Sequence, residues 1–187
     1  MKRINGSICA AAAVAIVVAA AFLERAQGRR TWGIGGQPGL WSGDINSPHN
    51  SQFLADPYSL SHLTHGILLF GLAWILARRM PLKLRALLVL AFESAWEVFE
   101  NTDFVINRDR TETISLHYYG DSIVNSMGDI GFCMMGFAIA AILPTRLTVV
   151  LALTLEIGLA LWIRDNLALN ILMLIRPIPV IRSWQGG

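Results

Sequence analysis

The chain of 187 residues has room for one domain, and its composition is unusual for a water-soluble one. Hydrophobic residues make up 54% of it and charged residues 15%, with a mean hydropathy of +0.51. Soluble domains carry about a quarter charged residues. The net charge of +2 comes without a basic patch interleaved with aromatics, which indicates no nucleic-acid partner. Because the apolar residues form long blocks, the expected partner is a lipid bilayer.

Five apolar blocks predict an all-α polytopic bundle that forms a single membrane domain over residues 1–187. Asp56 and Pro57 are typical of a helix start, with an N-cap acid followed by proline in the first turn. The run 167–175 is too short to cross about 30 Å of hydrocarbon, so it predicts a short C-terminal interfacial helix. The predicted spans are 8–23, 57–77, 86–106, 121–143 and 147–162, with an external loop over 24–56.

The basic residues predict the orientation, because cytoplasmic loops are enriched in lysine and arginine. A cytoplasmic N-terminus puts seven basic residues and no acid on the inner side. These residues are Lys2, Arg3, Arg78, Arg79, Lys83, Arg85 and Arg146. We therefore predict a multi-pass protein of the cell inner membrane with a periplasmic C-terminus. The first span has an alternative interpretation as a cleaved signal peptide, because Ala19-Ala20-Ala21 resembles a cleavage site.

Carboxylates occur where a bilayer disfavours them. Glu93, Glu97 and Glu100 in the third span have i, i+4 and i+7 spacing, so they share one helical stripe. An ionised carboxylate at mid-bilayer costs on the order of 3 kcal/mol, so this stripe is expected to face a polar interior.

Two further spans place polar residues at a similar depth. Asp121, Asn125 and Asp129 follow one face of the fourth span, and His62 and His65 lie in the first outer turns of the second. Their convergence predicts a cavity in the outer half of the membrane. The alternative is that these groups only hydrogen-bond one another and hold the bundle together.

Each polar residue type suggests a role in such a cavity. Carboxylates suit proton transfer, arginines and small polar groups suit an anionic head group, and imidazoles with carboxylates suit a divalent cation. The candidate catalytic residues are Glu97, Glu100, Asp121 and Asn125. The candidate substrate-binding residues are Arg108, Arg110, Asn101 and Ser122. The candidate metal ligands are His62, His65, Glu93 and Asp129.

Two sequence patterns resemble known families. Glu97-Val-Phe-Glu100, then Arg108 or Arg110, then the run from Asp121 through Asn125 to Gly128 resembles the VanZ-like membrane proteins. His62-Leu-Thr-His65-Gly66 and Glu100-Asn101-Thr102 are similar to a bacterial inner-membrane family whose domain has no assigned function. The VanZ-like resemblance implies work on an envelope component near the cell surface.

Three function classes remain open from the sequence. The first is a protein with an outward-facing cavity that handles a phosphate-bearing lipid or similar envelope substrate. The second is a small proton-coupled transporter that uses the glutamate stripe as a relay. The third is a non-catalytic assembly factor whose stripe docks a partner helix. Apolar sequence between Phe70 and Ala77 argues against a pathway through the membrane.

Overall fold

The computed structural model describes residues 5–112 and 118–186, and this part of the chain is all-helical, without a β-strand. Eight α-helices and one short 3-10 turn over Ile34–Gly36 account for its regular structure. The helices are α1 (Gly6–Ala26), α2 (Pro57–Ala77), α3 (Leu82–Glu100), α4 (Asp103–Glu112), α5 (Ile123–Ile142), α6 (Thr145–Trp162), α7 (Leu167–Ile175) and α8 (Pro179–Gln185). The predicted all-α class is confirmed.

Local capping explains where the helices around the site begin. Asp56 accepts a hydrogen bond from the backbone N–H of Tyr58 (2.8 Å), while the Ser59 hydroxyl bonds back to the Asp56 N–H. Ser122 starts α5 by accepting from the Asn125 N–H at 3.1 Å. The predicted start of α2 is therefore observed, with its physical cause.

The central contact of the bundle is the pairing of α2 with α5. Its two backbones approach so closely that a Cβ on Gly66 would collide with the Cys133 carbonyl. A Cβ on Gly136 would collide with the Leu63 carbonyl in the same way. Small residues at such contacts are typical of membrane helix pairs.

Within residues 5–112 and 118–186, four helices are long and apolar enough to cross a membrane: α1, α2, α5 and α6. The predicted third span is helical, but α3 is not among these four. It carries two basic residues near its start and three glutamates in its second half. The membrane character is therefore supported by four candidate helices rather than by all five predicted spans.

The largest difference from the predicted boundaries lies at the end of the third span. The predicted span runs to Ile106, but α3 ends at Glu100 and the chain starts α4 at Asp103. Asn101 ends α3, and its side chain turns inward to bond Asp121 and Ser126. Helix α7 coincides with the predicted run 167–175, while α8 was not predicted. Two of the basic residues used for orientation, Lys2 and Arg3, lie outside the described residues.

Apolar side chains fill the bundle on the far side of the polar stripe. One cluster joins Leu69, Val89 and Phe137 from α2, α3 and α5. A second joins Leu63, Ile67 and Ala140. These layers separate the polar groups near the start of α2 from the opposite end of the bundle.

Candidate functional site

One end of the bundle contains a cavity of about 1250 Å³. It lies between the first turns of α2, the last turns of α3, α4, α7 and the two loops that precede α2 and α5. Polar and aromatic side chains from these elements share its lining. The polar lining includes His62, His65, Glu100, Arg108, Asp121 and Asp129.

His62 is the meeting point of three helices. Its Nδ1 atom lies 2.7 Å from Glu93 Oε1 and 3.3 Å from Glu97 Oε1, both on α3. On the other side of the ring, Nε2 lies 4.0 Å from Asp129 Oδ2 on α5. Glu93 and Glu97 are 0% and 1% exposed, so the glutamate stripe faces inward, towards α2.

His65 joins the same cluster one turn further along α2. Its Nδ1 lies 2.8 Å from Glu93 Oε2, so Glu93 bridges the two histidines. The donor atoms of His62, His65 and Glu93 all lie within 4.8 Å of one another, as do those of His62, Glu97 and Glu100. Three of the four predicted metal ligands therefore form one compact set.

Asp129, the fourth predicted ligand, approaches the cluster from α5. Its Oδ1 accepts a hydrogen bond of 2.6 Å from the Ser59 hydroxyl, and its Oδ2 faces His62 Nε2. Asp129 is thus held by Ser59 in a position that supports the His62 ring.

A second polar network surrounds Asp121. The Asn101 side chain donates to Asp121 Oδ2 at 3.1 Å, and the Asp121 N–H donates back to Asn101 Oδ1 at 2.7 Å. The Tyr118 hydroxyl donates to the same carboxylate at 3.0 Å. Asn101, predicted to bind substrate, is fully buried and instead positions Asp121 at the cavity wall.

The structure separates two predicted site residues from the cavity. Asn125 donates to the Phe53 carbonyl at 2.8 Å and lies 3.5 Å from Asp56 Oδ2, so it fastens the preceding loop. Ser122 caps α5 and donates to the Gln52 carbonyl at 3.0 Å. Both contacts are local structural ones, although both residues come from the predicted polar face.

The two predicted rim arginines already hold other groups. Arg108 lines the cavity, but its guanidinium donates to the carbonyls of Leu174 and Ile175 at the end of α7. These are carbonyls that α7 leaves without an intrahelical partner. Arg110 donates to Asn107 at 2.8 Å and stacks over the Tyr119 ring at 4.7 Å.

Two residues near the site were not predicted from the sequence. Glu24 in α1 is 0% exposed and lies near Ser126, Asp121 and Arg29. Arg29 lines the cavity and donates to the Tyr119 carbonyl at 2.8 Å. Two adjacent arginines, Arg29 and Arg30, both line the cavity. This pair is the sequence signal that could have indicated a role for Arg29.

Burial shifts the titration of the groups outside the helical spans. Burial, together with the charge of Asp56, raises the pKa of Asp121 to about 6. Burial and the neighbouring Asp121 carboxylate raise the pKa of Tyr118 well above its usual range. Tyr118 therefore stays a hydrogen-bond donor, while Asp121 can change its protonation state near neutral pH.

Proton-transfer groups and apolar side chains share the lining of this cavity. His62, Glu100 and Asp121 contribute to it, as do Phe99, Phe104 and apolar α7 residues. This combination suits a ligand with a polar head and an apolar body.

The family model described as "Protein of unknown function (DUF2585)" matches residues 24–187. A UPF0314 protein of Rhizobium etli is 48% identical over 176 residues, covering 94% of this chain and 90% of that protein. A UPF0314 protein of Novosphingobium aromaticivorans is 50% identical over 154 residues, covering 79% and 77%. No solved structure matches this chain.

Proposed function

This chain belongs to the DUF2585 family, and we propose that it binds an amphipathic, phosphate-bearing lipid or envelope substrate in its cavity. The observation that carries the proposal is that one large cavity is lined both by ionisable and polar side chains and by aromatic and aliphatic ones. Its volume of about 1250 Å³ exceeds what a small metabolite needs.

The apolar residues of the cavity lining match the lipid part of such a substrate. They include Ile171 and Leu174 of α7, Phe99 of α3 and Phe104 of α4, and the two phenylalanines are exposed side chains. These residues offer lipid chains an apolar environment similar to the bilayer that they leave, so transfer into the cavity carries no large cost.

The polar residues of the cavity lining match a head group that changes protonation. Arg30 is an exposed residue of the cavity lining and supplies positive charge for an anionic phosphate, whereas Arg29 is paired with Asp103 at 3.3 Å and Arg108 is engaged by α7. Glu100 and Asp121 face the same space and are the proposed proton carriers. Glu97 acts behind them by holding His62.

The same geometry weighs against the other two function classes. A transporter needs polar groups that continue across the bundle, but apolar layers of Leu69, Val89 and Phe137 follow the cluster. A docking stripe would face outward, but Glu93 and Glu97 are buried between helices.

We further propose that α3 crosses the membrane as a fifth span beside the four apolar helices. Its carboxylates would then be shielded by α2 and α5 rather than facing lipid. The inner-membrane location, with the cavity on the periplasmic side, follows from the basic turn at Arg78, Arg79, Lys83 and Arg85. Reporter fusions after Arg79 that read external would contradict this orientation.

The binding test is native mass spectrometry of purified protein with defined lipids. We expect phosphate-bearing lipids to bind better than neutral ones. Ile171→Trp, which fills the cavity from α7, should reduce binding by at least about tenfold, equivalent to roughly 1.4 kcal/mol. The matched control is Leu172→Trp, at an exposed neighbouring position that does not line the cavity. Equal lipid binding by both variants would contradict the proposal.

A further inference from the structure

We propose that His62, His65 and Glu93 bind a divalent transition-metal ion of the zinc type. This site is independent of the substrate class proposed above, because it is defined by donor atoms rather than by the cavity walls. The three donors lie within 4.8 Å of one another. They come from two helices, α2 and α3, whose contact fixes their separation.

The distances fit coordination after a small movement. His62 Nδ1 and Glu93 Oε1 are 2.7 Å apart, and His65 Nδ1 and Glu93 Oε2 are 2.8 Å apart. Ligands at zinc distances of about 2.0–2.1 Å in a tetrahedron are separated by about 3.3 Å. Binding of a metal ion would therefore separate the two atoms of each pair by about a further 0.5–0.6 Å.

An independent observation points to a cation. Glu93 Oε2 and Glu97 Oε1 are buried carboxylate oxygens that make no aligned hydrogen bond, in residues 0% and 1% exposed. A buried acceptor without a partner costs about 1–3 kcal/mol, and more when charged. Both oxygens lie close to a histidine nitrogen, at 2.8 Å and 3.3 Å. A metal ion bound by His62, His65 and Glu93 would satisfy Glu93 Oε2, and its charge would stabilise the neighbouring Glu97 carboxylate.

The donor types select the class of ion. Two imidazole nitrogens with a carboxylate suit zinc and related transition ions, whereas Mg²⁺ and Ca²⁺ prefer sets of oxygen ligands. Three protein ligands leave a fourth coordination position free for water or substrate. His62 and His65 line the cavity while Glu93 lies behind them, so that position would open into the cavity.

Asp129 fits a supporting role rather than the ligand role predicted from the sequence. If His62 binds the metal through Nδ1, its Nε2–H faces Asp129 Oδ2 at 4.0 Å. Asp129 is itself fixed by the Ser59 hydroxyl at 2.6 Å. Such a carboxylate orients a metal-binding histidine and strengthens its donor character.

The test is a zinc titration of the full-length protein in detergent, stripped with a chelator and followed with a chromophoric competitor. Wild-type protein should bind a single equivalent. His65→Gln and Glu93→Gln should each weaken binding by about 100-fold or more, and Asp129→Asn by about tenfold. The matched control is His49→Gln, which removes an imidazole stacked on Phe53 outside the cluster and should bind as wild type.

A second measurement uses wild-type protein alone, so it does not depend on the folding of any variant. Co²⁺ in the same site should give the strong visible absorption of a four- or five-coordinate ion. The proposal is overturned by the weak spectrum of a six-coordinate ion, by the absence of wild-type zinc binding, or by unchanged zinc affinity in both ligand variants. Because lipid binding is measured separately with Ile171→Trp, failure of the zinc site leaves that result standing.

Discussion

The contacts of His62 predict that substitution of its acidic neighbours destabilises the protein. Its two ring nitrogens face Glu93 and Glu97 on one side and Asp129 on the other, so one side chain connects α2, α3 and α5. Removing one partner of a buried charged pair costs about 3–5 kcal/mol, because the other charge is left uncompensated. Isosteric changes of the acids are therefore better probes of function than truncations.

Asp165, between α6 and α7, provides a prediction on pH dependence. This residue is buried, and its Oδ1 accepts from Gln185 Nε2 at 3.1 Å and from the Asn166 N–H at 2.9 Å. Burial raises its pKa from 3.8 to about 7. The folded protein therefore holds this proton more tightly than the unfolded chain, so its stabilising effect is full below pH 3.8 and is lost as pH rises to about 7.

Asp165→Asn removes the titration and keeps a side-chain oxygen as acceptor. We expect this variant to lose less thermal stability between pH 5 and pH 8 than wild type, and to be at least as stable at pH 8. Thermal unfolding in detergent, followed by circular dichroism, measures this. Asp44→Asn, in the exposed loop before α2, should keep the wild-type pH dependence. The same slope in Asp165→Asn and wild type would refute the assignment.

At the scale of the helices, the α2–α5 contact decides whether the site assembles. Ser59 and His62 on α2 reach Asp129 on α5 because the two backbones lie so close. Gly66 and Gly136 permit this approach, and a methyl group at either would meet a backbone carbonyl. The pairing therefore fixes the geometry of the polar cluster as well as the packing of the bundle.

Two glycines of α2 give a matched pair of variants for this contact. Gly66→Ala should destabilise the protein by about 3 kcal/mol, at the upper end for overpacking, because a backbone atom blocks the new methyl group. Gly71→Ala meets nothing within 4 Å and should be neutral or stabilising by up to about 1 kcal/mol. The midpoint of thermal aggregation in detergent compares them. A Gly66→Ala protein as stable as Gly71→Ala would exclude the close contact.

Local sequence signals predicted some element boundaries and not others. The start of α2 at Pro57 and the short helix 167–175 follow from capping residues and length, which are local properties. The end of α3 depends on Asn101 bonding Asp121 and Ser126, which are distant in sequence. Helix periodicity carries no information about such a contact, so the predicted span continued to Ile106.

Local sequence signals also indicate some residues of the candidate site and not others. The i+3 spacing places His62 and His65 on one face of α2, and the similar predicted depth of Glu93 on α3 led to its grouping with them; the donor atoms of the three lie within 4.8 Å of one another. Asn125 shares a face with Asp129 in the sequence, yet it bonds the Phe53 carbonyl of the preceding loop. Glu24 was missed because its burial depends on how α1 packs against α3 and α5.

At the scale of the whole molecule, the chain separates polar and apolar regions along the bundle. The polar cluster, the cavity and helices α4 and α7 lie at one end, and the apolar layers around Leu69 and Ile67 follow the cluster along the helices. A cavity at one end of the bundle can hold a substrate without conducting it across the bilayer. We propose that the buried acids perform chemistry on a bound molecule and do more than hold the helices together.

The most direct test is the profile of lipids and envelope precursors in a deletion strain that expresses either wild-type protein or a variant. We expect deletion to change the amount of a phosphate-bearing, lipid-soluble species. Expression of wild-type protein or of Asp44→Asn should restore the normal amount of this species. Glu97→Gln and Glu100→Gln keep the shape of the side chain but remove its charge, so they should fail to restore the profile at equal membrane protein levels. Full restoration of the profile by both glutamine variants would contradict a chemical role for Glu97 and Glu100 and leave them a structural role alone.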